Sequence, residues 1–241
     1  MYDDSNNELN ARSPPYFLDE KMFASNLTVK AGHSPNQSFN PEKGTTGLAL
    51  RFKDGVIVAA DRRVSAGYYI ASTDGRKIHK ISDTIAMAIS GLVSDAMSLV
   101  ELMQAELKIF RFDNEYEPTV KVAAYLLATI MHSGYRRYQP FYAQLLVGGV
   151  DQTGGHIYSL DPSGAAHEEP YATIGSGTML AMGTLESDYK KNISREEAEA
   201  LAIKSLKASI GRDLATGDGI DMYIIMADKT EFKQVEIPSK G

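Results

Sequence analysis

The sequence KGTTGLALRF at residues 43–52 marks the boundary on which the organisation of the chain depends. A polar leader stops there, and a strand-like run, 46–52, begins directly after Thr45. A threonine that follows a glycine at such a boundary can become a new N-terminus, and its free amine can then act as the general base for its own hydroxyl. We therefore predict that Thr45 is a catalytic nucleophile.

The leader, residues 1–44, differs in composition from the rest of the chain. Asparagine and proline recur along it and keep it polar, so ordering this segment would gain little. One interpretation is a floppy tail, and the other is a removable propeptide. Gly44 supports the propeptide, because a residue without Cβ lets the Thr45 hydroxyl reach the preceding carbonyl in a tight turn. We interpret residues 1–44 as a propeptide cleaved between Gly44 and Thr45, and residues 45–241 as one catalytic domain.

The composition narrows the possible functions. The 241 residues are 43% hydrophobic, enough for one large core, and the net charge of -6 argues against a general nucleic-acid surface. The lack of cysteine excludes disulfides, thiolate metal sites and a cysteine nucleophile. The five histidines show no ligand spacing, so we expect no metal site and no cofactor. No apolar stretch approaches the roughly 20 residues of a membrane helix, so we expect no membrane segment and a cytoplasmic protein.

Hydrophobic periodicity predicts strands and helices in alternating blocks. The predicted strands are 46–52, 56–62, 68–71, 77–81, 84–90, 143–151, 156–161, 171–174, 222–227 and 232–237. The predicted helices are 93–110, 120–135, 177–189 and one that opens at Ser194 with capping-box spacing to Glu197. The turn at 53–55 joins the first two strands, with Gly55 expected at positive φ. This order predicts an α+β fold in which two antiparallel sheets lie face to face with helices outside each.

Charged residues at neighbouring strand ends are candidates to assist Thr45. Asp61 ends the second strand, Lys77 begins a later one, and Gly91 lies in a strand-to-helix turn. A buried lysine beside the nucleophile would disfavour protonation of the amine and stabilise developing negative charge, and Asp61 would hold that lysine. The alternative is an ordinary ion pair between Asp61 and Arg63 with a solvated Lys77, which would stabilise little.

Seven ordered motifs carry a resemblance to a known family. They are Gly44-Thr45-Thr46, Asp61-Arg62-Arg63, Gly75-Arg76-Lys77, the run SGLVSDA at 90–96, the run QLLVGGVD at 144–151, Ile174-Gly175-Ser176-Gly177 and the run RDLATG at 212–217. In this order and spacing they resemble proteasome β subunits of the archaeal type. The resemblance covers essentially the whole chain from Thr45 onward, but not the leader.

The resemblance implies an N-terminal nucleophile hydrolase with a four-layer αββα sandwich. The implied catalytic residues are Thr45 as nucleophile, Asp61 and Lys77 as its charge partners, the Gly91 backbone N–H as oxyanion donor, and Ser176, Asp213 and Thr216 as the polar cluster that orients the threonine amine and a bound water. Arg63 matches as a structural support. Thr216 stands where the family commonly has serine, a change that keeps the hydroxyl.

The resemblance also implies a pocket for the substrate side chain that precedes the cut bond. Its implied lining is Val64, Gly75, His79, Ile89, Val93 and Met97. Because this lining is mostly apolar, we expect cleavage after large hydrophobic residues. His79 would make the preference depend on pH near neutrality.

Three functions agree with this pattern. The first is a threonine endopeptidase in a stacked ring with α-type subunits and other β subunits, acting on polypeptide substrates delivered by a regulatory ATPase. The second is a non-catalytic structural β subunit of the same assembly, but an inert subunit has no chemical need for Thr45, Asp61 and Lys77 together. The third is the simpler bacterial two-component relative. Asp61-Arg62-Arg63, where that relative carries Asp-Gly, and the long leader argue against it.

Overall fold

The fold is an α+β sandwich of four layers, seen in a computed structural model that describes residues 44–237. Its elements are β1 (Thr46–Phe52), β2 (Gly55–Asp61), β3 (Val64–Ala66), β4 (Tyr69–Ser72), β5 (Ile78–Lys80), β6 (Ile85–Gly91), α1 (Val93–Asn114), α2 (Val120–Arg136), β7 (Ala143–Asp151), β8 (Gly154–Leu160), β9 (Ala166–Glu168), β10 (Tyr171–Gly175), α3 (Thr178–Asp188), α4 (Arg195–Ile210), β11 (Ile220–Met226) and β12 (Thr230–Val235). Apart from Gly44, the predicted propeptide lies outside the described residues.

Two five-stranded antiparallel sheets form the inner layers. The first has the order β10-β1-β2-β11-β12, and the second has the order β5-β6-β7-β8-β9. Helices α3 and α4 cover the first sheet, and α1 and α2 cover the second. β3 and β4 form a separate hairpin, in which β4 is exposed and β3 is half-buried. The predicted αββα sandwich is therefore confirmed.

The alternation of side chains along the strands builds three separate cores, because successive residues point to opposite faces. In β1, Leu48 and Leu50 pack under α3 and α4, whereas Ala49 faces the other sheet. In β6, Met87 packs under α1 and α2, whereas Ala88 faces the other sheet. The middle core between the sheets combines alanines with branched residues such as Val58 and Leu146. The start of β1 and the end of β2 meet the residue before β5 at one edge of the sandwich, because Asp61 contacts both Thr46 and Lys77.

The strand and helix positions follow the sequence predictions closely, with two additions and one correction. The three-residue strands β3 and β9 were not predicted. Gly55 does not have the positive φ that we predicted for the turn. It is required for a different reason: a Cβ at this position would lie 2.1 Å from the Ile225 carbonyl oxygen of the adjacent strand β11. The predicted capping box of Ser194 and Glu197 is confirmed at the start of α4.

Within residues 44–237, no helix is both long enough and apolar enough to cross a membrane. The same range holds no cluster of three or more acidic or histidine side chains arranged to bind a metal ion.

Candidate active site

Thr45 lies at the entrance to β1 and is almost completely buried. Its Oγ1 donates a hydrogen bond to the Gly44 carbonyl oxygen at 2.8 Å. The Lys77 Nζ donates to the same oxygen at 3.2 Å. The carbonyl oxygen at the predicted cleavage point therefore accepts hydrogen bonds from both the hydroxyl of the predicted nucleophile and a buried ammonium group.

Asp61 and Lys77 form a buried ion pair and not the solvated arrangement that was the alternative. Their Oδ1 and Nζ atoms are 2.9 Å apart, and the exposed fractions of the two side chains are 0% and 8%. Asp61 Oδ1 also accepts from the Thr46 N–H at 2.9 Å, and Oδ2 accepts from the N–H groups of Arg63 and Gly217 at 3.1 and 2.9 Å. The carboxylate thus accepts four hydrogen bonds, three of them from backbone.

Burial acts on the ionisation of both members of this pair, because it disfavours the charged form of each group. Burial raises the pKa of Asp61, while the charge of Lys77 and the backbone donors oppose that rise. Burial lowers the pKa of Lys77, and the charge of Asp61 opposes that fall. The charge of Asp61 thus favours the ammonium form of Lys77, which suits a cation beside a reacting carbonyl.

A second polar network joins the other side of Thr45. The Thr45 N–H donates to Ser176 Oγ at 3.3 Å, and Ser176 Oγ donates to Asp213 Oδ2 at 2.5 Å. Thr216 Oγ1 donates to the same Asp213 oxygen at 2.6 Å and lies 2.8 Å from Thr46 Oγ1. Because Thr216 gives its proton to Asp213, the Thr46 hydroxyl must donate to Thr216. The structure therefore brings the predicted cluster of Ser176, Asp213 and Thr216 together, and it adds Thr46.

Arg63 holds the loop that carries this network. Its Nε and Nη2 bind the Asp218 carboxylate at 2.8 and 3.1 Å, and its Nη1 donates to the Leu214 carbonyl at 2.9 Å. Asp218 has the left-handed conformation, with a φ of 64°, so this two-pronged contact fixes a backbone shape that few residues adopt. The loop 213–218 is therefore pinned to the end of β2, where Gly217 reaches Asp61.

Gly91 ends β6 at the same edge of the sandwich. Its φ of 104° is in the left-handed region, and a Cβ would lie 2.3 Å from the Tyr142 carbonyl oxygen, so the position requires glycine. The neighbouring Ser90 Oγ approaches Gly175, which in turn lies against the Thr45 carbonyl. In the part of the chain that the structure describes, no hydrogen bond joins Gly91 to Thr45.

Gly44 lies where no side chain fits. A Cβ on this residue would be 1.5 Å from the Ala215 Cβ and 2.5 Å from its Cα. Because the second of these atoms is backbone, no rotation of a side chain relieves the clash. The close approach of the 213–218 loop therefore explains the glycine before Thr45.

The predicted pocket residues fall into two contacting groups. Gly75 lies against Val64, because a Cβ on Gly75 would be 2.1 Å from Val64 Cγ2. Ile89 and Met97 belong to the core under α1, whereas Val93, at the start of α1, is about half exposed.

His79 pairs with Met87 across β5 and β6. Burial lowers its pKa below the ordinary value, and the Arg76 charge lowers it further, although a hydrogen bond with the Arg76 backbone opposes the fall. The ring is therefore neutral at pH 7. The dependence of the pocket on pH stays a prediction, with the lowered pKa placing any transition on the acid side of the ordinary histidine value.

Sequence reasoning missed two residues that help to hold the site together, Thr46 and Asp218. Thr46 belongs to the quoted Gly-Thr-Thr motif, but its burial and its bond to Thr216 depend on a contact 170 residues away. Asp218 directly follows the last quoted motif, the run at 212–217. A carboxylate at this loop position was the sequence signal that could have identified it as part of the site.

Comparison with known proteins shows the family of this chain. A family model described as "Proteasome subunit" matches residues 41–225. The proteasome subunit beta 2 of Thermofilum pendens is 44% identical over 182 residues, which are 76% of this chain and 88% of that protein. The proteasome subunit beta of Ferroglobus placidus is 45% identical over 196 residues, 81% and 90% of the two chains. The proteasome subunit beta 1 of Korarchaeum cryptofilum is 42% identical over 185 residues, 76% and 88% of the two chains. The chain therefore belongs to the proteasome β-subunit family.

Proposed function

We propose that this chain is a threonine endopeptidase subunit of a proteasome core particle, with Thr45 as its nucleophile. The observation that carries the proposal is the convergence of Thr45 Oγ1 and Lys77 Nζ on the Gly44 carbonyl oxygen. A structural subunit has no need for a hydroxyl and a buried cation at one carbonyl.

The first reaction is removal of residues 1–44. Thr45 Oγ1 attacks the Gly44 carbonyl carbon while Lys77 stabilises the negative charge that develops on the oxygen. The new C–O bond forms, the C–N bond breaks, and the proton of the hydroxyl ends on the Thr45 nitrogen. Water then hydrolyses the ester, which releases the leader and leaves a free amine. Until this happens the nitrogen is an amide and cannot act as a base.

The second reaction is hydrolysis of polypeptide substrates. The Thr45 amine, with a reference pKa near 8, takes the hydroxyl proton as Oγ1 attacks the substrate carbonyl. The Gly91 N–H is assigned to the oxyanion, and Lys77 disfavours protonation of the amine. Ser176 Oγ contacts the Thr45 nitrogen and so orients it, with Asp213 and Thr216 behind it. Water hydrolyses the acyl-enzyme and restores the amine.

The names of the relatives support an assembly with partners. We assign this subunit to a ring with other β subunits, stacked on α-type subunits, with a regulatory ATPase that delivers unfolded polypeptides through the α ring. The expected location is the cytoplasm. The pocket is assigned to Val64, Gly75, His79, Ile89, Val93 and Met97, and its largely apolar lining favours cleavage after large hydrophobic residues.

Peptide hydrolysis by the assembled particle tests the proposal. Wild type, Thr45→Ala and Thr45→Ser are each co-assembled with the α-type partner and given a panel of fluorogenic peptides. We expect hydrolysis by wild type, most rapidly after large apolar residues, partial activity for Thr45→Ser, and none for Thr45→Ala. Equal rates for wild type and Thr45→Ala, or no hydrolysis by any complete particle, would favour the structural subunit instead.

A further inference from the structure

The two groups assigned to the attack and to the oxyanion lie on different sheets. Thr45 precedes β1 of the first sheet, and Gly91 ends β6 of the second sheet. Backbone hydrogen bonds fix distances within a sheet, but they do not fix the gap between two sheets. A misplacement of about 1 Å between reacting groups can lower a rate by about 100-fold, so a contact that fixes this gap affects the reaction.

Gln144 on β7 makes a contact across this gap. Leu146 belongs to the core between the sheets, and Gln144 lies two residues before it, so both side chains point toward the first sheet. Gln144 is exposed, since it lies at the end of the strand beyond Leu146. Its Oε1 accepts a hydrogen bond from the Gly175 N–H at 3.2 Å. Gly175 ends β10, the edge strand of the first sheet, so this bond joins the two sheets beyond their apolar core.

The Gly175 end of this bond lies against the backbone of the nucleophile. Gly175 pairs with Thr46 in β1, and its φ of 92° lies in the left-handed region. A Cβ on Gly175 would be 2.1 Å from the Thr45 carbonyl oxygen and 3.0 Å from Ser90 Oγ of the second sheet. Because Gly175 is packed this closely against Thr45, a shift of Gly175 moves the backbone that carries the nucleophile.

The other end of the bond lies beside the assigned oxyanion donor. Gly91 pairs with Ala143, the residue that directly precedes Gln144. The next residue after Gly91 is held to the same strand, because the Leu92 N–H donates to the Tyr142 carbonyl at 2.7 Å. Backbone pairing therefore fixes Gln144 relative to Gly91, and the Gln144 side chain carries that fixed position across to the first sheet.

We propose that Gln144 is a positioning residue for peptide hydrolysis, which sets the gap between the Thr45 hydroxyl and the Gly91 N–H by holding Gly175. This inference rests on the proposed function. The role requires both an acceptor oxygen and the length of the glutamine side chain, since the bond spans two sheets. Because the gap matters most when charge develops on the substrate oxygen, the effect falls on kcat and not on KM.

Steady-state kinetics of four variants test the inference. Gln144→Leu, Gln144→Asn, Gln144→Glu and Gln104→Leu are each made in the full-length chain and co-assembled with the α-type partner, and intact mass confirms that Thr45 is free. Gln104 on α1 is the matched control, because it is also an exposed glutamine whose side chain bonds a backbone group, the Lys80 carbonyl at 2.8 Å.

The four variants separate the acceptor from the length of the side chain. We expect Gln144→Leu, which lacks the acceptor, and Gln144→Asn, which is too short, to lower kcat by about 10- to 100-fold with KM changed by less than about threefold. Gln144→Glu keeps both properties, so its kcat at its own pH optimum should stay within about threefold of wild type. Gln104→Leu should match wild type.

A peptide boronate separates positioning from a general loss of structure. Thr45 Oγ1 adds to the boron and its proton passes to the Thr45 amine, which leaves an anionic tetrahedral boronate that mimics the transition state. The peptide amide of the same sequence binds without forming that bond. We expect Gln144→Leu to lose affinity for the boronate by the same factor as kcat and to keep its affinity for the amide.

Three results would overturn the inference while the proposed function stands. They are a wild-type kcat for Gln144→Leu, equal losses of affinity for the boronate and the amide, and equal kcat values for Gln144→Asn and Gln144→Glu. The last comparison decides the matter if Gln144→Leu does not assemble. If wild type in complete particles cleaves no peptide, the proposed function fails, and the role of Gln144 is refuted with it.

Discussion

The buried pair of Asp61 and Lys77 has a matched counterpart on the surface of the same chain. Lys80 and Asp83 form the same kind of contact at 2.8 Å, compared with 2.9 Å for the buried pair. The exposed fractions are 42% and 62% on the surface and 8% and 0% in the site. Asp83 also pairs with Arg111 at 3.0 Å, so Asp83→Asn weakens two exposed contacts, whereas Asp61→Asn removes the charge of a buried carboxylate that has backbone donors.

The loss of stability expected for Asp61→Asn follows from the four hydrogen bonds that the Asp61 carboxylate accepts. An asparagine offers one acceptor oxygen and turns an NH2 group toward the remaining donors, so two of the four lose their partner. Each unpaired buried donor costs about 1–3 kcal/mol, and breaking a buried ion pair from one side typically costs about 3–5 kcal/mol. We expect Asp61→Asn to lower the free energy of unfolding by about 3–5 kcal/mol. Asp83→Asn, in high dielectric, should change it by less than about 1 kcal/mol.

Urea unfolding of the unassembled full-length chain measures both values. A Thr45→Ala background prevents processing, and circular dichroism provides the signal because the chain contains no tryptophan. The midpoint and slope give the free energy for each variant. Equal costs for the two substitutions, within about 1 kcal/mol, would refute the argument that the low-dielectric surroundings and the backbone donors give Asp61 its importance.

Three further predictions concern the residues around the nucleophile. Gly44→Ala should block removal of the leader, because its Cβ would collide with Ala215; intact mass shows this, and normal processing of the variant would disprove the close approach. Thr216→Val should lower kcat by about 10- to 100-fold with little change in KM, whereas Thr216→Ser should retain most activity; equal kcat values for the two variants would exclude a role for the hydroxyl. Arg63→Lys should lower kcat because an ammonium cannot replace the two-pronged contact with Asp218, and a variant with wild-type kcat would show that the loop does not need that contact.

Local pattern predicted most of the fold, because alternation and helical periodicity are properties of neighbouring residues. β1 and β7 have the predicted bounds, and the four helices are present. β3 and β9 are only three residues long, too short for a periodic signal. Gly55 was assigned to the right turn for the wrong reason. Glycine is required there because the backbone of β11, a strand distant in sequence, leaves no room for a Cβ.

The site was harder to predict, because its contacts span the whole chain. Lys77 by itself is indistinguishable from a solvated lysine, and only the packing of β5 beside Asp61 buries it. Thr46 hydrogen-bonds a hydroxyl 170 residues away, and the contact of Arg63 with Asp218 spans 155 residues. The motifs indicated which residues meet. Whether the buried His79 Nε2 finds a hydrogen-bond partner depends on the residues around it in space, which no sequence motif contains.

The most direct test of the central claim, that Thr45 is a nucleophile which first releases its own leader, is intact mass after co-assembly with the α-type partner. Wild type is compared with Thr45→Ala in complete particles. We predict that wild type begins at Thr45, with residues 1–44 lost, and that Thr45→Ala keeps them. Retention of the leader by both chains, or its loss from both at the same bond, would contradict self-cleavage by Thr45.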